Sequence, residues 1–406
     1  MNNKREFKLP SVEDLDKEQD VILRLPEDGI FLVTGGPGTG KSVVSLIRRN
    51  RVKKSKNYIF LVYNHVLMRS TKQMVEGEMN GNTWIKWFND EFKNLTGNPP
   101  ETKSNSKDID FDDAILKLRA HFEALEIPEN DLNFIIDEGQ DMPPKFYKSL
   151  AEMGFINFFV VADQNQQITK QKSSILELEN TLDPDKRHEL IENYRNSWEI
   201  AFLARQFYSD PATLPPKLPL PEPQNPTPIK IHEYEDTSED EEDTSEEFKF
   251  LIKRILAKYS RNPKDLIGIF TLSNKTRNKY VKTLNTVKNT MGHGMSEVII
   301  STYSWGDSSE NIDFTRGGIV VLNSASVKGL EFDQVFIADI DEFNKKPQID
   351  ELKKIFYVMT SRARNHLALL RNKSHKRQSK LDSILPLDKE LTIPVSKRSI
   401  KILVGA

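Results

Sequence analysis

The chain has 406 residues, enough for two or three domains with proper cores, and its 37% hydrophobic and 29% charged content is that of a globular protein. A net charge of −2 excludes a uniformly basic nucleic-acid binder, and the absence of cysteine excludes disulfides, thiol nucleophiles, thiolate zinc sites and iron–sulfur clusters. No apolar run approaches the roughly eighteen residues of a membrane helix and "MNNKREFKLP" contains no apolar signal region, so no membrane role is expected and the cytoplasm is the expected location.

Short apolar runs bounded by polar residues follow one another along the chain: "GIFLVTG" (29–35), "NYIFLVY" (57–63), "NFIIDE" (133–138) and "NFFVVAD" (157–163). Buried parallel strands read this way. Helical patterns lie between them at 110–125 and 144–153, with a polar loop at 97–108. A second series, 228–234, 266–272, 317–325 and 334–340, predicts a second sheet domain. The boundary is placed at 186/187, with a small helical insertion at about 64–130. The stretch 210–228 is too proline-rich for helix or central strand, and the acidic run "EYEDTSEDEEDTSEE" (233–247) continues it as a solvated connector. The tail from Arg371 to Lys401 is basic.

Chemistry enters at "GGPGTGKS", which follows the first apolar run and precedes the helical "VVSLIRRN". Glycines at these spacings let backbone N–H groups wrap phosphates at a helix N-terminus. The loop comprises Gly35, Gly36, Pro37, Gly38, Thr39, Gly40, Lys41, Ser42 and Val43. Lys41 is expected to reach the β- and γ-phosphates of ATP, and Ser42 to ligate Mg2+. The third run ends in Asp137 and Glu138, placed to hold magnesium and to polarise the attacking water. The fourth, "FFVVADQNQQI" (158–168), ends in a row of amides suited to reading a charge.

Taken in order, these segments resemble superfamily 1 helicases of the UvrD/Rep/PcrA type. "LDKEQ" (15–19) is similar to the family's Q motif, which implies adenine recognition by Gln19. "DEGQD" implies that Gln140 couples nucleotide state to the second domain, and "ADQNQ" (162–166) makes Gln166 the γ-phosphate sensor. "IENYRN" (191–196) implies base stacking by Tyr194 and an arginine finger at Arg195. "VKGLEFDQVFI" (327–337) and "FYVMTSRARNHL" (356–367) imply a ribose contact from Glu331 and a second γ-phosphate arginine at Arg362. The fold so implied is α/β: two RecA-like P-loop NTPase domains with parallel sheets and ATP at their interface.

The implied activity is ATP hydrolysis stimulated by single-stranded DNA, with RNA as an alternative strand, driving 3′ to 5′ translocation or unwinding. Tyr63, Asn64, Thr83, Trp84 and Trp87 resemble strand-contacting positions of the family, although Trp84 and Trp87 also suit one buried helical face. "SNKTRNKY" (273–280) offers either backbone contacts or an ordinary helix start. The sequence departs from the family pattern after Gln166, where no aromatics follow, and at Ala325, where a histidine is usual. Little room remains for the large inserted subdomains. The alternative reading is therefore an ATP-gated regulatory subunit of a nuclease or other effector partner.

Overall fold

The computed structural model describes residues 5, 14–75, 77–122, 129–166, 172–209, 215–224, 226–227, 229–238, 244–291, 297–303, 312–345, 348–375, 379–385 and 392–395. Parts of the proline-rich and acidic connectors, of the stretch that follows Gln166 and of the basic tail lie outside them. The chain divides into two compact units, Lys8–Ile191 and Glu192–Ala406 together with Met1–Phe7.

The first unit runs α1 (Lys17–Leu23), β1 (Ile30–Gly35), α2 (Lys41–Val52), β2 (Tyr58–Val62), α3 (His65–Met74), β3 (Gly81–Thr83), α4 (Trp84–Thr96), α5 (Phe111–Phe122), β4 (Asn130–Ile136), α6 (Pro144–Glu152), β5 (Phe155–Ala162), α7 (Ile175–Leu182) and β6 (Lys186–Leu190). Its strands form one sheet in the order β3-β2-β4-β5-β1-β6, with every neighbouring pair parallel. Continuous apolar runs make this possible, because helices cover both faces of β2, β4, β5 and β1. The polar β6, "KRHEL", pairs with β1 from Lys186 to Leu190, so the first unit extends to Ile191 and does not end at 186.

Register decides what the sheet presents at its edge. Leu61 lies opposite Ile136, Ile136 opposite Val160, and Ala162 opposite Thr34. The residues following β4, β5 and β1 therefore emerge together: Asp137, Asp163 and the glycine loop. Local chemistry fixes the helices around them. Asp16 and Gln19 form a capping box on α1, Ser174 and Glu177 one on α7, and Gly97 at φ 83 ends α4.

The second unit runs α8 (Trp198–Gln206), β7 (Ile229–Tyr234), α9 (Glu246–Arg261), β8 (Leu266–Thr271), α10 (Asn274–Thr290), β9 (Ile300–Thr302), β10 (Gly318–Asn323), β11 (Phe332–Ile337), α11 (Ile349–Thr360), β12 (Ala363–Asn372), α12 (Ser379–Ile384) and β13 (Thr392–Val395). Its sheet has the order β13-β7-β12-β11-β8-β10-β9, again parallel throughout. Two parallel α/β sheets of this kind are consistent with two RecA-like domains. Ser245 and Ser273 cap α9 and α10 through their hydroxyls. Between them, buried Asp339 accepts hydrogen bonds from the Tyr234 and Tyr280 hydroxyls, and burial pushes its carboxyl up to about 6. No described helix is long and apolar enough to cross a membrane.

One core cluster of the first unit gathers around Trp84, which has no exposed surface and packs against Phe111 at 6.2 Å and Phe146 at 5.2 Å. Deleting so large a side chain leaves a cavity the neighbours cannot fill. Trp84→Ala is expected to destabilise the first unit by about 3–5 kcal/mol, read from denaturant unfolding.

Candidate functional site

The glycine loop turns sharply out of β1. Gly38 at φ 79 and Gly40 at φ 89 occupy the left-handed region, where a side chain is strained, and Gly40 caps α2. A Cβ on Gly40 would also lie 2.3 Å from Gln19 Nε2. That amide donates to the Thr39 carbonyl at 3.2 Å, while Thr39 Oγ1 donates to the Gly36 carbonyl at 2.8 Å. Gln19 thus braces the loop, and its Oε1 accepts from the Asp16 N–H at 3.4 Å. Val43 follows Ser42, half-buried, in the first turn of α2. Further along, Arg48 fixes α2 by donating to the carbonyls of Leu25 and Glu27 at 2.9 Å each, and its guanidinium lies over the Phe31 and Phe159 rings.

Lys41, only 7% exposed, donates to the carbonyls of Gly35 at 2.8 Å and Gly36 at 2.7 Å and lies 3.6 Å from Asp163 Oδ2. Asp163 is itself buried and works as a hub. Its Oδ2 accepts from Gln166 Nε2 at 2.6 Å, and its backbone N–H donates to Gln140 Oε1 at 2.9 Å. Gln140 Nε2 in turn donates to Glu138 Oε2 at 2.6 Å. Glu138 sits in the left-handed region at φ 59, and the following Gly139 has no room for a Cβ, which would meet Val160 Cγ1 at 2.4 Å.

Beside this chain, the Ser42 hydroxyl lies close enough to the Asp137 carboxylate to favour its charged form. Burial and then the neighbouring Glu138 charge push Asp137 up to about 6, opposed by Ser42 and Lys41. A hydroxyl and a buried carboxylate short of positive charge form a donor set that suits a hard divalent cation such as Mg2+. Lys41, Ser42, Asp137, Glu138, Gln140 and Gln166 are therefore brought together within one unit. Asp163 was not singled out in the sequence; its signal is an acid directly after the strand that neighbours β1.

In the second unit, residues distant in sequence converge. Arg195 donates to Glu331, and Asn196 Nδ2 donates to the carbonyls of Ser361 at 3.1 Å and Ala363 at 2.5 Å. Burial raises the Glu331 carboxyl, but Arg195, Arg364 and Arg362 outweigh it and hold the group below its ordinary range. Arg362 is 1% exposed and donates through Nε to the Val358 carbonyl at 3.0 Å. Tyr194 is 58% exposed. Ala325 lies in a single helical turn after β10.

The expected strand contacts fare differently. Trp84 is sealed in the core and has no free face, and half-buried Trp87 packs edge-on against Phe134 at 5.0 Å and also against Phe155. Their spacing of three is that of a core-facing helix. Thr83 is buried before α4, and Asn64 caps α3 by accepting from the Leu67 N–H at 2.8 Å. Tyr63 is half-buried against the same core, its hydroxyl pushed up to about 12 by burial and then by Asp141 and Asp108. The 273–280 segment is a helix start with internal commitments: Thr276 to Glu342, Arg277 to the Tyr303 carbonyl, Tyr280 to Asp339.

Comparison with known proteins bears on both units. A family described as "Schlafen group 3, DNA/RNA helicase domain" matches residues 28–209, and "UvrD-like helicase C-terminal domain" matches residues 318–370. The first span contains the glycine loop, Glu138, Gln166 and Arg195; the second contains Glu331 and Arg362. The chain is thus similar to UvrD-like helicases, as its motifs imply. Among solved structures, the C-terminal domain of a possible DNA helicase from Lactobacillus plantarum is 15% identical, with 49% of this chain and 96% of that chain covered at a TM-score of 0.32. No curated protein matches the chain.

Gly40→Ala is expected to lower stability by about 1–3 kcal/mol through backbone strain and to displace Gln19 from the loop, measurable by thermal unfolding. Asp163→Asn keeps the shape but removes the charge facing Lys41. It is expected to reduce any nucleotide turnover about tenfold or more, equivalent to about 1.4 kcal/mol of barrier, and to lower the unfolding midpoint, because buried Lys41 loses its counter-charge.

Proposed function

We propose that this chain, with its helicase-family units, is an ATP-hydrolysing motor that acts on single-stranded nucleic acid, DNA in the first instance. The observation that carries the reading is the hydrogen-bonded chain from Glu138 through Gln140 and Asp163 to Gln166, with the Lys41 ammonium paired to Asp163 at 3.6 Å. Glu138 accepts the proton of the attacking water, and Gln140 holds that carboxylate in place. Lys41 provides fixed positive charge for the phosphates, and the loop's glycines let the backbone approach them. Ser42 and Asp137 would hold Mg2+, which supplies charge neutralisation at the phosphate oxygens when bound.

Gln166 is positioned by Asp163 to report on the γ-phosphate. Arg195 and Arg362 are proposed to answer the same group and Glu331 to meet the ribose, as the family resemblance implies. Gln19 and Tyr194 are proposed for the adenine. The 3′ to 5′ direction is likewise taken from the resemblance. The burial of Trp84 and the packing of Trp87 remove two expected stacking platforms, and this favours a second reading, an ATP-gated regulatory subunit of a nuclease or other effector.

Hydrolysis of ATP by the purified chain, with and without single-stranded DNA, separates the two. The motor predicts strong stimulation by the strand and a loss of about 10²–10⁴-fold in Glu138→Gln, which keeps the hydrogen bond but not the base. Hydrolysis unmoved by any strand sinks the motor reading.

A further inference from the structure

The second unit contains a cavity of about 680 Å³ between α9, the starts of β7 and β12, and the first turn of α8. None of Arg195, Glu331 and Arg362 lines it. Its size is that of pockets for small ligands. Among the described residues, Lys230, Lys253, Arg254, Lys258 and Arg261 surround it, and Glu199 is the one carboxylate on its wall. Glu199 already accepts from the Thr227 N–H at 2.9 Å. Among the described residues, none of the five cations makes a salt bridge.

Two further groups are unspent. His232 Nδ1 and His366 Nε2 are buried without a hydrogen-bond partner among the described residues. Both imidazoles line the cavity, and burial followed by the surrounding cations pushes them down, to about 4 and about 3, so they stay neutral at ordinary pH. The same crowding, after burial, brings Lys258 down to about 8. Apolar groups complete the wall: half-buried Met291, with buried Leu251 and Phe336 behind it, the Phe336 ring centroid 6.0 Å from Lys258 Nζ.

Arg254 and Lys258 are half-buried and Lys230, Lys253 and Arg261 exposed, so the wall gathers positive charge at an accessible face, where it attracts anions. We infer that this cavity binds a phosphorylated small molecule of nucleotide size, its phosphates among Arg254, Lys258 and Lys230 and its less polar part toward Met291. The two neutral imidazoles supply a donor or acceptor each to its polar edge. A nucleic-acid strand is the poorer fit, because it tracks an open basic groove lined with aromatic platforms. This site is separate from the glycine loop and does not depend on the chain being a motor.

The test titrates the full chain carrying Lys41→Ala, which weakens the glycine loop, with ADP, inorganic tripolyphosphate and adenosine by calorimetry. Saturable binding of a phosphate-bearing probe is expected, with none for adenosine. Adding Arg254→Gln and Lys258→Gln is expected to weaken it about tenfold or more. If that variant does not fold, Lys230→Gln with Arg261→Gln replaces it, and an unchanged melting curve certifies the fold. No saturable binding of either phosphate probe overturns the inference, as does binding indifferent to these substitutions. Single-stranded DNA whose binding is lost with the same cations, while the small probes do not bind, also overturns it in favour of a strand track.

Discussion

A buried ammonium beside a buried carboxylate is the contact on which the first unit's site depends. Lys41 and Asp163 are 7% and 4% exposed and lie 3.6 Å apart. Neither charge is tolerable alone in such surroundings. The pair is possible because β1 and β5 are adjacent and parallel, so their ends emerge side by side. Once Asp163 is fixed by that charge, its second role follows: Gln166 binds its carboxylate, and its backbone N–H orients Gln140 against Glu138. A sheet built for burial thus arranges the polar groups at its rim.

The second unit handles charge in two contrasting ways. Around Glu331, a half-buried carboxylate pairs with Arg195 and feels the charges of Arg364 and Arg362, and Arg362 is held by the Val358 carbonyl and the Ser361 hydroxyl. Around the α9 cavity, half-buried Arg254 and Lys258 and exposed Lys230, Lys253 and Arg261 have no described carboxylate paired to them. The first arrangement is satisfied within the unit. The second is not, and the buried imidazole nitrogens point the same way.

The strands that carry the glycine loop, Asp137 and Asp163 were legible because parallel sheets bury both faces and leave continuous apolar runs. Strands such as β6 and β12 were not. "KRHEL" has no apolar run and is a strand only because β1 offers it a partner, while β12 begins in the polar "ARNH". The tryptophans of α4 could be read two ways, since spacing along a helix states which residues share a face but not what that face meets. Asp163 was overlooked because amides follow it, and its importance lies in register with β1. The α9 cavity has no local signature at all: its cations come from β7 and α9, its histidines from β7 and β12, and only the crossover order of the sheet gathers them.

The amide of Gln140 has a fixed sense. A backbone N–H can only donate, so the end facing Asp163 must be the oxygen, and the nitrogen must face Glu138. Glu138 is thereby addressed as an acceptor. A glutamate at 140 would have the same shape but no donor unless protonated, and two carboxylates would then confront each other in a dry space. The position thus works as a directional relay. It distinguishes an amide from its isosteric acid by which end of the group can give a hydrogen, and it turns that donor end toward Glu138.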